Sequence, residues 1–111
     1  MYDLAARDCV PCKGGVPPLV SEQIEPLLAR VDADWRAVDH HHLARSYRFK
    51  NFAEALAFTN RVGEMAEAQS HHPDLHLAWG RVTVEIWTHK IDGLHESDFV
   101  FAAKCDRLYA P

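Results

Sequence analysis

The chain has 111 residues, 48% of them apolar and 25% charged, and a formal net charge of −4. That length supports one domain around one core, and an acidic balance with no Lys/Arg run excludes a phosphate-backbone binder as a first expectation. No apolar run approaches a membrane span, and the start MYDLAARDCVPCKGG lacks the pattern of an export signal, so a cytoplasmic protein with neither nucleic acid nor membrane as partner is expected.

Residues 1–20 read as an N-terminal arm, and 21–111 as a single domain. The arm carries Cys9 and Cys12, and Cys105 makes the cysteine count odd, which argues against a disulfide framework. Cys9-x-x-Cys12 is half a zinc site without a second pair. Pro17 and Pro18 oppose a helix, and Ser21 then reads as an N-cap. Ile24, Leu27, Leu28 and Val31 recur at helical spacing, with Pro26 expected in the first turn. Trp35–Val38 is a short strand candidate. Asp39–His42 reads as a polar turn whose histidines, His40, His41 and His42, face solvent. Leu43, Tyr47 and Phe49 then mark a strand with one buried face.

Asn51, with Glu54 three residues on, predicts a capped helix over 52–69. Its apolar stripe reads Phe52, Leu56, Thr59, Val62, Gly63 and Ala66, with Phe58 and Met65 to one side. A surface that broad predicts two contacts, one of them with a partner subunit. Pro73 ends the helix at or before His72. Leu75, Leu77 and Trp79 alternate as one strand, and Val82, Val84 and Ile86 as an antiparallel neighbour after Gly80-Arg81. Lys90–Leu94 is a loop, and a last helix runs from about Ser97 to Tyr109. The expected fold is α+β: a single four-stranded antiparallel sheet with helices packed on one face.

The chemistry gathers in the histidines. His71 and His72 begin one strand and His89 follows the end of the next, so antiparallel pairing brings them to one edge of the sheet. Glu67 lies a helical turn before His71, and Asp98 falls at the start of the last helix. Carboxylates beside imidazoles orient them for proton transfer. The same set could instead hold zinc or iron. Against that, adjacent histidines on extended chain point to opposite sides. His76 and His95 read as surface or loop residues.

The pattern Glu67-x3-His71-His72-Pro73-x5-Trp79-x9-His89-x8-Asp98 resembles the signature of the pterin-4a-carbinolamine dehydratases (4a-hydroxytetrahydrobiopterin dehydratases). The Cys9-Val-Pro-Cys12 arm, Gly14-Gly15, Pro17-Pro18-Leu19, Trp35, Asn51-Phe52, Thr88-His89 and Gly93-Leu94 extend the resemblance over nearly the whole chain. One departure is His95, where many members place a Thr or Ser cap.

The resemblance implies loss of water from 4a-hydroxytetrahydropterin to give quinonoid dihydropterin, in tetrahydrobiopterin recycling. It implies a pterin substrate and no metal or organic cofactor. His71 and His89 match the candidate proton donors, and His72 a substrate-binding residue. Glu67 and Asp98 match supporting carboxylates. Trp79 lies in the signature with either a substrate-supporting or a core-packing role. A homodimer or homotetramer is expected. The alternatives are a non-catalytic binding module, since mammalian relatives serve as dimerisation partners of a homeodomain transcription factor, and a histidine-based metal-binding protein.

Overall fold

The computed structural model describes residues 4–10 and 14–109; Cys12, half of the Cys9-x-x-Cys12 spacing, lies outside the described residues. The elements are α1 (Ser21–Leu28), β1 (Arg36–Val38), β2 (His42–Arg48), α2 (Phe52–Gln69), β3 (Asp74–Ala78), β4 (Arg81–Ile86) and α3 (Glu96–Tyr109). Short 3₁₀ turns lie at Leu4–Ala6 and His89–Ile91. The strands form one antiparallel sheet in the order β1-β2-β4-β3. This is the expected α+β architecture.

Period-two alternation decides which face is covered. Leu43, Arg45 and Tyr47 of β2 sit opposite Ile86, Val84 and Val82 of β4, and all six are buried under the helices. The intervening Ser46 and Thr83 pair on the open face, their hydroxyls 2.8 Å apart. Asp106 ties α3 to β2. It accepts from the Tyr47 hydroxyl at 2.6 Å, from Arg45 Nη1 at 2.6 Å and from the Trp35 indole at 2.9 Å.

Helix α2 starts as the sequence predicts, with the Asn51 side chain accepting from the Glu54 N–H at 2.9 Å. Its buried stripe is Ala55, Phe58, Val62 and Ala66. The expected stripe is therefore rotated, and Phe52 and Leu56 are exposed. Phe58 sets the rotation by packing on Tyr47 at 4.6 Å between ring centroids. The two alanines let α2 lie close to the sheet.

Local chemistry corrects other expectations. Helix α1 is capped at Val20, whose N–H donates to the Gln23 side chain at 3.0 Å, and Ser21 is its first residue. Pro26 lies in the second turn of this short helix, not the first. Trp79 falls in the two-residue β3–β4 hairpin, where strand alternation stops, and is 67% exposed. A Cβ on the neighbouring Gly80 would lie 2.9 Å from the Phe49 carbonyl oxygen, so only glycine fits that turn.

The arm packs into the same core. Leu4, Ala5 and Cys9 are buried, Lys104 Nζ donates to the Ala5 carbonyl at 2.9 Å, and Arg7 pairs with Glu96. Among the described residues no helix is long and apolar enough to cross a membrane.

Candidate active site

The site begins where α2 ends. Ser70 is left-handed, at φ 53° and ψ 39°. The His71 N–H reaches back to the Ala66 carbonyl at 3.2 Å, and the Ser70 N–H to Glu67 at 3.3 Å. This is a Schellman-type ending, and it reverses the chain within two residues. Pro73 then holds His72 out of the helical region. The two histidines part as extended chain requires, the His71 side chain 16% exposed and the His72 side chain 59%.

His71 points inward to Asp98. Its Nε2 lies 2.6 Å from Oδ1 of that carboxylate, which is fully buried. The other Asp98 oxygen accepts from the Thr88 hydroxyl at 2.9 Å and the His95 N–H at 2.8 Å. An ionised carboxylate only accepts, so this arrangement puts the His71 proton on Nε2 and leaves Nδ1 as its second proton-handling atom. The His71 ring meets Phe101 edge-on, with 5.8 Å between centroids.

Asp98 is also part of a helix cap. His95 precedes α3, its Nδ1 accepts from the Ser97 N–H at 3.3 Å, and Asp98 returns the bond to the His95 N–H. That is the reciprocal logic of a capping box. The departure at His95 therefore does not shift the helix start beyond Glu96.

His72 bonds Glu67 through Nε2, and both side chains are open to water. Such a pair orients the ring more than it stabilises the fold. His89 sits on the 3₁₀ turn after β4, its ring 4.6 Å from Trp87. The turn is closed by Thr88 N–H to Gly93 O at 2.9 Å. Pro18 crosses so near Gly93 that a Cβ there would lie 2.6 Å from it.

The register places Asp74 opposite Glu85, so the chain before β3 and the chain after β4 share one edge. A cleft of about 210 Å³ opens there, lined by His71, His72 and His89 together with Gln69, Trp87 and Thr88. Glu67 and Asp98 each hold one of its histidines. Trp79 lies at the opposite end of the β3–β4 hairpin. Among the described residues, no three His, Cys, Asp or Glu side chains are grouped to hold a metal ion.

The arm completes one wall with Cys9 and Val10. The Cys9 N–H donates to the Gln69 side chain at 2.7 Å, and Val10 exchanges bonds with the Ser97 hydroxyl at 2.8 and 3.0 Å. Burial pushes the Cys9 thiol up to about 11, so it stays protonated and serves as wall rather than nucleophile. None of this was visible in the arm's aperiodic sequence.

The His40–His42 turn also needs correction. Asp39 and His40 take positive φ, 53° and 56°, in a tight β1–β2 hairpin that returns the next residues to the sheet. His41 and His42 are half-buried and lie 5.2 and 5.8 Å from the Trp87 ring. The hint is Trp87 itself, a large ring just past the end of β4.

The model of the family described as pterin 4 alpha carbinolamine dehydratase matches residues 17–108. The chain belongs to that family. A Rubrobacter xylanophilus protein, provisionally named a pterin-4-alpha-carbinolamine dehydratase, is 64% identical over 108 residues, covering 97% of this chain and all of its own. An Alkaliphilus metalliredigens protein of the same provisional name is 50% identical, covering 96% of both chains. A crystal structure described as a transcriptional coactivator/pterin dehydratase from Brucella melitensis superposes with TM-score 0.78 at 31% identity, over 84% of this chain and 99% of that one. A pterin dehydratase-like RuBisCO assembly factor of the alpha-carboxysome, 22% identical with TM-score 0.60 over 69% of this chain and 90% of its own, shares the fold.

Proposed function

We propose that the chain dehydrates a 4a-hydroxytetrahydropterin to the quinonoid dihydropterin and water by histidine acid/base catalysis. The observation that carries this is the meeting of His71, His72 and His89 at one cleft, in a chain of the pterin carbinolamine dehydratase family.

The reaction needs two proton transfers. Hydroxide leaves poorly, so an acid protonates the 4a oxygen as the C4a–O bond breaks. The N5 lone pair forms the C=N bond, and a base takes the N5 proton. Neutral and protonated imidazole are both available near pH 7, so one set of side chains serves both steps. His71, oriented by Asp98, and His89, on its turn across the cleft, are the proton-transfer pair in this reading. His72 and Glu67, at the exposed rim, hold the pterin's polar edge. Recycling of tetrahydrobiopterin after aromatic hydroxylation is the role this activity would serve.

The test is decay of freshly generated 4a-hydroxytetrahydropterin, followed by ultraviolet absorbance with chelator present. Acceleration by the native chain and loss of it in His89→Ala is expected. No acceleration over the spontaneous reaction would overturn the proposal. A homodimer or homotetramer is also proposed, because Phe52 and Leu56 leave an apolar strip on α2 exposed. Sedimentation showing only monomer at all concentrations would remove it.

A further inference from the structure

His89 stands on an exposed turn, yet proton transfer needs its imidazole held still. Two contacts bear on that, and one imidazole from outside the cleft takes part in both. The Trp87 ring lies 4.6 Å from His89 and 5.2 Å from His41. His41 Nε2 also bonds Asp92 Oδ1 at 2.8 Å. Asp92 is the left-handed residue, at φ 50°, that ends the His89 turn, and its N–H donates to the His89 carbonyl at 3.2 Å. One imidazole from the β1–β2 hairpin thus touches both the side chain of the residue that ends the turn and the ring that backs His89.

We propose that His41 is a positioning residue for His89, acting through Trp87 and Asp92. This rests on the proposed dehydratase reading for its kinetic consequence, but not for its structural one. His41 does not line the cleft and touches no reacting atom. Its ring packs on His42 at 5.3 Å, and the His42 Nδ1 lies 3.1 Å from its own Nδ1. The His41 ring therefore sits in a small bank of rings, while the Asp92 carboxylate that it bonds is 88% exposed. Loss of the His41 side chain removes these contacts without opening the turn's backbone bonds or emptying the core, because 34% of that side chain already faces water.

The test compares His41→Ala and His41→Gln with the native chain. Gln restores an N–H donor toward Asp92. The first readout needs no turnover: proton NMR of the His89 ring, whose C–H signals are moved by the ring current of Trp87. His41→Ala is expected to shift these signals toward the values of a Trp87→Leu chain, with an unchanged melting temperature, and His41→Gln to restore much of the native position. The second readout is kinetic. His41→Ala is expected to lower kcat about 10-fold with KM within about twofold, the signature of misplacement rather than lost binding. Native His89 signals in His41→Ala overturn the inference whether or not the chain proves a dehydratase. Moved signals with native kcat also overturn it, because the contact then positions nothing the reaction needs. Moved signals in a chain whose native form has no dehydratase activity overturn the functional reading and leave the structural coupling standing.

Discussion

Asp98→Asn keeps the shape of the buried carboxylate and removes its charge. Two donors, the Thr88 hydroxyl and the His95 N–H, converge on Oδ2. They fix the amide so that its carbonyl oxygen faces them and its NH₂ faces His71. Two N–H groups cannot share the 2.6 Å gap that Asp98 and His71 span. His71 must move its proton to Nδ1 and accept at Nε2, which inverts the tautomer offered to the cleft. A hydrogen bond to a charged group contributes ~1.5–3 kcal/mol and a neutral one ~1 kcal/mol, so stability should fall by about 1 kcal/mol. For a domain of this size that lowers Tm by roughly 4 °C. Positioned acid/base groups contribute ~10²–10⁴ in rate, so kcat should drop at least about 100-fold. The absorbance assay on 4a-hydroxytetrahydropterin and a thermal melt measure both. Asp98→Ala, by contrast, strands the buried Thr88 hydroxyl, at ~1–3 kcal/mol, and two half-buried donors, the His95 N–H and His71 Nε2–H, so it should destabilise by more than Asp98→Asn. A folded Asp98→Asn chain turning over within about threefold of the native rate would refute the tautomer argument.

Other outcomes follow from the same contacts. His89→Ala should abolish turnover while moving stability by less than about 0.5 kcal/mol, since His89 is exposed; a melt alongside the assay checks this. Phe58→Ala removes a fully buried ring packed on Tyr47 and should cost about 3–5 kcal/mol in denaturant titration. Ser70→Gly relieves the left-handed conformation at the end of α2 and should stabilise by about 0.5–1 kcal/mol, whereas Ser70→Val should destabilise. The Cys9 thiol is pushed from 9.0 to about 11 by burial, so its neutral form favours the fold below pH 9 and that stability is lost as pH rises through 11. Tm should fall over that range by more in the native chain than in Cys9→Ala.

The sequence made some parts legible and hid others for identifiable reasons. Asn51 with Glu54, and Pro73 after the histidines, are local signals, and α2 spans Phe52–Gln69 as they predict. The meeting of His71 with His89 was readable because antiparallel pairing fixes which strand ends coincide. The stripe of α2 is ambiguous in the sequence because Phe52 and Phe58 are equally apolar, and only packing against Tyr47 chooses between them. Trp79 continued a period-two pattern past the point where Gly80 forces the hairpin. The partners of Cys9, Val10 and His41 lie 60, 87 and 51 residues away, so no local pattern announces them.

The left-handed Ser70 makes one amide serve two purposes. The His71 N–H that closes the last turn of α2 belongs to the residue whose ring reaches Asp98. Fraying of that turn and loss of the imidazole's aim are therefore one opening event, not two. In hydrogen exchange, the His71 amide and the last turn of α2 should gain and lose protection together. Because such local openings lie below the global unfolding free energy, gentle heating or low denaturant should silence the site while the sheet stays closed.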